Sequence, residues 1–281
     1  MAILLSLLAA ASYGLGDFSG GIFSKRAGPW AVSLTAQLGG TVLILAVMLV
    51  VGGSPTRADI WWSLLAGLGN GFGTAFLYRG LASGRMGVVA PVSGVGAVVV
   101  PVVVGVLIDE RPGALVWFGI VLALPAIWLV SREPADDPTA GRGPGLGSGL
   151  TDGILAGLGF GTLFAALSQV TEDAGLAPLA VNQLVAGVVI IAVATALRSS
   201  WVPRTRYALG GVISGALGAL ATGLFLVATR HGYLTVTAVI TSLYPAFSVL
   251  LAASVLREQI HRAQALGLGL CAVAVVLVAA G

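Results

Sequence analysis

The sequence predicts an all-α polytopic membrane protein, with ten transmembrane helices arranged as two inverted five-helix repeats. Three observations lead there. Of its 281 residues 57% are hydrophobic and only 9% charged, whereas a water-soluble domain carries about 25% charged residues to cover its surface. Mean hydropathy is +1.02, so the natural solvent for most of this surface is lipid. Apolar runs of roughly 20 residues, the length that crosses a hydrocarbon core about 30 Å thick, recur along the whole chain.

Read in order, the runs fall at residues 3–23, 31–51, 60–81, 87–108 and 114–130, then at 152–171, 178–197, 207–229, 234–256 and 263–280. Turn residues punctuate them: Gly28-Pro29, Gly52 to Pro55, Arg111-Pro112-Gly113 and Ala177-Pro178. The first run lacks a positively charged leader and is read as a retained span, not a cleaved signal. One long polar stretch, Ser131 to Gly149, is rich in Pro, Gly and Asp and reads as a flexible linker. The expected division is therefore a first repeat over 1–130, a linker over 131–150 and a second repeat over 151–281.

A shift of 148 residues supports the duplication. It places Gly84 on Gly232, Ala90 on Ala238, Ser93 on Thr241, Glu110 on Glu258 and Gly119 on Gly267. Five spans per copy is an odd number, so the second copy enters the membrane from the opposite side. Such inverted repeats characterise secondary transporters. Cations are concentrated in the connections after odd-numbered spans, from Lys25 and Arg26 to Arg257 and Arg262, and the positive-inside rule then expects those connections in the cytoplasm and both termini outside.

The net charge of +3 could point to nucleic acid. Its carriers are strung singly between apolar runs and form no patch, so nucleic-acid binding is excluded. The single cysteine, Cys271, rules out an intrachain disulfide. Small-xxx-small pairs (Gly16/Gly20, Gly67/Gly71, Gly69/Gly73, Gly157/Gly161, Gly211/Gly215) are expected to let helices approach closely. Pro91, Pro101 and Pro245 are expected to bend the fourth and ninth helices and free a carbonyl.

Asp17 is the only acid expected well inside a span. An Asp at a helix centre costs about 2.5–3.5 kcal/mol on insertion scales, so it is normally retained for a task; here it is the candidate proton-coupling residue. The competing reading pairs it with Lys25 or Arg26. Polar and aromatic residues within spans must find partners in hydrocarbon. Among them Tyr13, Gln37, Asn70, Tyr78, Ser93, Thr241 and Tyr244, drawn from both halves, are the candidate substrate-binding set. Glu110 and Glu258, next to Arg111 and Arg257, are expected to form interfacial ion pairs or to anchor helix ends. His231 and His261, also at helix ends, make poor metal ligands, and no metal or cofactor is expected.

Gly14-Leu15-Gly16-Asp17 matches the GxGD string of intramembrane aspartyl proteases. That chemistry needs two carboxylates sharing a proton, and no second acid is expected inside a span, so an enzyme is not expected. The stretches Phe76 to Ala82, Gly84 to Ser93, Ser242 to Phe247 and Leu256-Arg257-Glu258, with the opening Tyr13 to Phe18, resemble the EamA-type drug/metabolite transporter superfamily, over essentially the whole chain. The resemblance implies a central cavity, alternating access, and export of small metabolites, amino acids or toxic organic compounds from a bacterial plasma membrane. A translocator of lipid or lipid-linked sugar on the same fold is the alternative. Since each half already has its partner, a monomer is sufficient.

Overall fold

A computed structural model describes residues 1–50, 52–82, 86–130, 146–255 and 259–281. Eleven α-helices account for nearly all of them: α1 (Ala2–Ala27), α2 (Pro29–Met48), α3 (Arg57–Ala82), α4 (Met86–Leu107), α5 (Ala114–Val130), α6 (Leu146–Leu167), α7 (Ala177–Ala196), α8 (Gly211–Thr229), α9 (Leu234–Thr241), α10 (Tyr244–Val255) and α11 (Arg262–Ala280). A short 3₁₀ turn leads into α8 at Arg206–Gly210. Among the described residues there is no strand.

Seven helical stretches are long and apolar enough to cross a bilayer, with α9 and α10 counted as one, and two shorter apolar helices lie at Val92–Leu107 and Ala114–Val130. Large apolar side chains in mid-helix face outward, as with Val42 on α2 (67% exposed), Phe118 on α5 (72%) and Val188 on α7 (66%). In water such a surface would aggregate; against acyl chains it is solvated. The chain is a polytopic helical membrane protein. The helix missing from that set is α3, which packs against both α6 and α7. The faces it turns to those neighbours need not be apolar, so Asn70 and a run of glycines are tolerated there, while Trp61 and Leu68 face outward.

Those glycines make the packing possible. Gly67 and Gly71 face α7: a methyl group on either would sit 2.5 and 2.6 Å from the Cβ atoms of Val185 and Val189. Gly69 and Gly73 face α6, where the same addition would meet the Gly159 carbonyl at 2.5 Å and the Phe160 ring at 2.6 Å. The two offset small-residue stripes thus give one helix two close neighbours. The other principal contacts join α1 to α8, α2 to α7 and α8, α4 to α6, and α5 to α11.

Several expected boundaries move. α2 ends at Met48, not 51, and α6 ends at Leu167, not 171. α6 also begins at Leu146, so the last residues of the expected linker are helical; the rest of that linker, 131–145, lies outside the described residues. The expected ninth helix is two helices. It turns at Ser242-Leu243, just before Pro245, whose missing N–H leaves the Thr241 carbonyl without its helical donor. α4, by contrast, runs unbroken through Pro101, while the side chain of Pro91 lies outside the described set.

Of the two roles expected for Glu110, it takes the helix-end anchor and not the ion pair with Arg111, which binds Asp109 instead. α4 ends with Asp109 in the left-handed region (φ 68°), and the Glu110 N–H bonds the Gly105 carbonyl at 2.9 Å. This turns the Glu110 carboxylate onto the start of α9, where it accepts from the N–H groups of Leu234 and, at 2.9 Å, Thr235. Those amides are the orphan donors of a helix N-terminus, so an acid from the first half caps a helix of the second. Asp152 lies inside α6, only 4% exposed, and accepts from Arg79 Nε at 3.0 Å. It is a second acid within a helix, already neutralised. Glu258 and Arg257 lie outside the described residues.

Candidate functional site

Helices α1, α2, α3, α6, α7, α8 and α10 enclose a cavity near the middle of the bundle. Tyr13, Gln37, Asn70, Tyr78 and Tyr244 line it, together with Asp17. Ser93 and Thr241 do not. Both are fully buried nearby, on α4 and α9. Thr74, Phe160, Phe164, Gln183, Ser214 and Thr222 complete the polar and aromatic lining. Gln183 carries a sequence signal, as an amide inside an apolar run. Thr222, Ser214 and the two phenylalanines look like ordinary membrane-helix residues, and only the packing of α6 and α8 turns them inward.

Asp17 sits deep in the bundle, yet its side chain is half-exposed because it faces the cavity. Among the described residues no cation comes within ion-pair distance of it. Arg26, on the last turn of α1, lies over the ring of Tyr207, 5.4 Å from its centroid. The pairing that would have made Asp17 merely structural is not formed. Around it stand three phenols. Tyr13 donates to or accepts from Thr222 Oγ1 at 2.8 Å, and its ring is 6.2 Å from that of Tyr244 and 5.9 Å, edge-on, from Phe164. Tyr78 lies against Gly20, one turn beyond Asp17, where no side chain would leave room for its ring.

Amides make up another part of the lining. Asn70 Nδ2 donates to Gln183 Oε1 at 2.8 Å, with longer contacts to Asn182 Oδ1 (3.3 Å) and Gln37 Oε1 (3.4 Å). Thr74 donates to Asn70 Oδ1 at 3.1 Å and accepts from Gln37 Nε2 at 3.3 Å. The network ties α2, α3 and α7 together and offsets much of the cost of burying these amides, although Asn182 Nδ2 is left without a partner.

The cavity offers ≈ 50 Å³ to the centres of water molecules. At about 10–15 Å³ for one water on that measure, it holds a few waters and not a drug-sized solute, whose pockets run to about 300–1,000 Å³.

Among the described residues, the bundle thus sets one carboxylate, without a cation beside it, in the lining of a central cavity. The chain matches the family model described as EamA-like transporter family over residues 1–132 and 147–280, and it belongs to that family, within the drug/metabolite transporters. No curated protein matches it. A solved structure described only as the crystal structure of a protein is similar over 99% of this chain and 98% of its own, with a TM-score of 0.70 at 15% identity; at that identity the likeness concerns the fold.

Proposed function

We propose that the chain is a secondary active transporter that exports a small organic solute from the cell by alternating access, across a plasma membrane, with Asp17 coupling the movement to protons. The observation that carries this reading is the unpaired Asp17 in the lining of a cavity between the halves. A group that must gain and lose a proton from alternate sides needs a water-accessible lining and no fixed counter-charge, and Asp17 has both. One elementary charge moving through the field is worth about 2.3 kcal/mol per 100 mV, enough to bias the cycle.

The packing supports ten spans in two inverted repeats, 1–130 and 151–281. Exchanging α1 with α6, α2 with α7, α3 with α8, α4 with α9–α10, and α5 with α11 maps α3–α6 onto α8–α1. It likewise maps α3–α7 onto α8–α2 and α4–α6 onto α9–α10 against α1, and it leaves α2–α7 and α5–α11 unchanged. A contact pattern that survives exchange of the halves has two equivalent ways to close, which alternating access requires. That a family match covers each half agrees with it. An amide-lined interior favours a polar solute over a lipid. Asp152 is paired elsewhere and does not line the cavity, so the two-carboxylate chemistry of an aspartyl protease has no partner for Asp17.

The test is solute flux in proteoliposomes under an imposed proton gradient. Native protein is expected to accumulate a solute against its gradient, and Asp17→Asn to lose the dependence on pH difference. A mutant that couples as well as native protein would remove Asp17 from the mechanism.

A further inference from the structure

We infer that the cavity selects a small organic cation that also carries a neutral hydrogen-bonding group, such as an amino alcohol or amino amide, and rejects carboxylates and phosphates. The inference rests on the transporter reading and names its substrate class.

Two parts of the lining carry the argument. Among the described residues, Asp17 supplies the only formal charge in the lining, and no Lys, Arg or His contributes to it. Arg79, in the last turn of α3, is committed to Asp152. An anion would therefore enter beside a carboxylate with nothing to neutralise it, in a low-dielectric interior where like charges repel strongly. A cation meets the opposite situation. It gains the Asp17 carboxylate and the π-faces of Tyr13 and Tyr244, whose rings, 6.2 Å apart and tilted by 58°, stand beside that acid in the same lining. Aromatic faces attract cations, most strongly when both are withdrawn from water.

Gln37, Asn70, Gln183 and Thr74, in the same lining, hold one another through bonds that include two of 3.3–3.4 Å. Such long contacts are easily exchanged for a substrate hydroxyl or amide. A purely apolar cation gains nothing there and displaces the water that those amides face, leaving them short of partners. The site thus asks for both charge and hydrogen bonding in one small solute.

The experiment is thermal unfolding of the detergent-purified full chain with ethanolamine, glycinamide, tetramethylammonium, acetamide and succinate, followed by flux of the same solutes. Ethanolamine and glycinamide are expected to raise the unfolding temperature at concentrations at least tenfold below tetramethylammonium, with no response to succinate. Asp17→Asn is expected to lose at least tenfold in apparent affinity for both amines, and Asn70→Ala to erase their advantage over tetramethylammonium. Should Asp17→Asn fail to fold, Tyr13→Leu removes an aromatic face without changing charge and is expected to weaken the amines about tenfold, leaving acetamide unaffected. Stabilisation by succinate equal to that by the amines, or no response of folded native protein to any cation, overturns the inference. Flux separates the two readings: a transported carboxylate sinks the cation inference alone, while amines that bind but never cross sink the transporter reading alone.

Discussion

At one end of the bundle Asp59 does the work of several residues. It forms a reciprocal cap with Thr56: the Thr56 N–H and hydroxyl each donate to its Oδ2 at 2.7 Å, and its own N–H donates to Thr56 Oγ1 at 3.2 Å. The Thr171 N–H and hydroxyl add bonds at 2.8 and 3.0 Å from the α6–α7 connection, which Arg230 Nη2 also holds, through the Thr171 carbonyl at 3.2 Å. These partners shield the carboxylate, although it lies outside the deep packing of the bundle. Burial pushes its acidity in the direction of protonation, and the four hydrogen bonds outweigh this and hold it down at about 2. The ordinary Asp value is about 3.9. The stabilisation is thus fully present above pH ~4 and lost as pH falls through about 2. Asp59→Asn is expected to lower the unfolding temperature by the same amount at pH 8 and pH 5, and by less at pH 3; a deficit that stays constant down to pH 2 would show that the charge plays no part. Sequence alone offers Thr56-x-x-Asp59 as a capping pattern, but its second partner, Thr171, is 112 positions away and invisible to any local reading.

The helices themselves were readable because lipid imposes a length and an apolar character on every span. What could not be read was where a helix stops being continuous. Pro101 and Pro245 present the same local signal, yet α4 passes through one and the α9–α10 helix breaks before the other. The difference lies in surroundings. Ser242 N–H still bonds Ala238 and Leu243 N–H bonds Ile240, tightening the last turn of α9, while Tyr244, the first residue of α10, fills the cavity wall. Glu110 was similarly opaque, because its partners are amides 124 and 125 positions away. We predict that Pro245→Ala, by restoring a donor for the Thr241 carbonyl, joins α9 to α10. The expected result is an unfolding temperature equal to or above native with solute flux slowed on the order of tenfold, as for a stiffened hinge. Flux unchanged alongside the higher stability would mean that the break is a packing accommodation and takes no part in the cycle.

For the molecule as a whole, the strongest packing lies between the halves and not within them. α3 is held by α6 and α7, α8 by α1 and α2, and α5 by α11, so most of the close glycine contacts cross from one half to the other. Gly96 on α4 approaches Gly157 on α6 so closely that a methyl group on one would lie 2.8 Å from the other's Cα. Neither half could bury these faces alone, and the polar groups of the cavity would be left facing lipid, at several kcal/mol for each unsatisfied group. The covalent connection at 131–145 should then matter little once both halves are in the membrane, because loop closure contributes only weakly against so extensive an interface. Residues 1–138 and 139–281 expressed as separate chains are expected to co-purify and, reconstituted together, to recover solute flux within a few-fold of the intact protein, while either piece alone recovers none. Gly71→Val, which drives a branched side chain into Val189, is expected to abolish that co-purification. Flux from one half alone, or association that survives the glycine substitution, would mean that the working unit is not the interlocked pair.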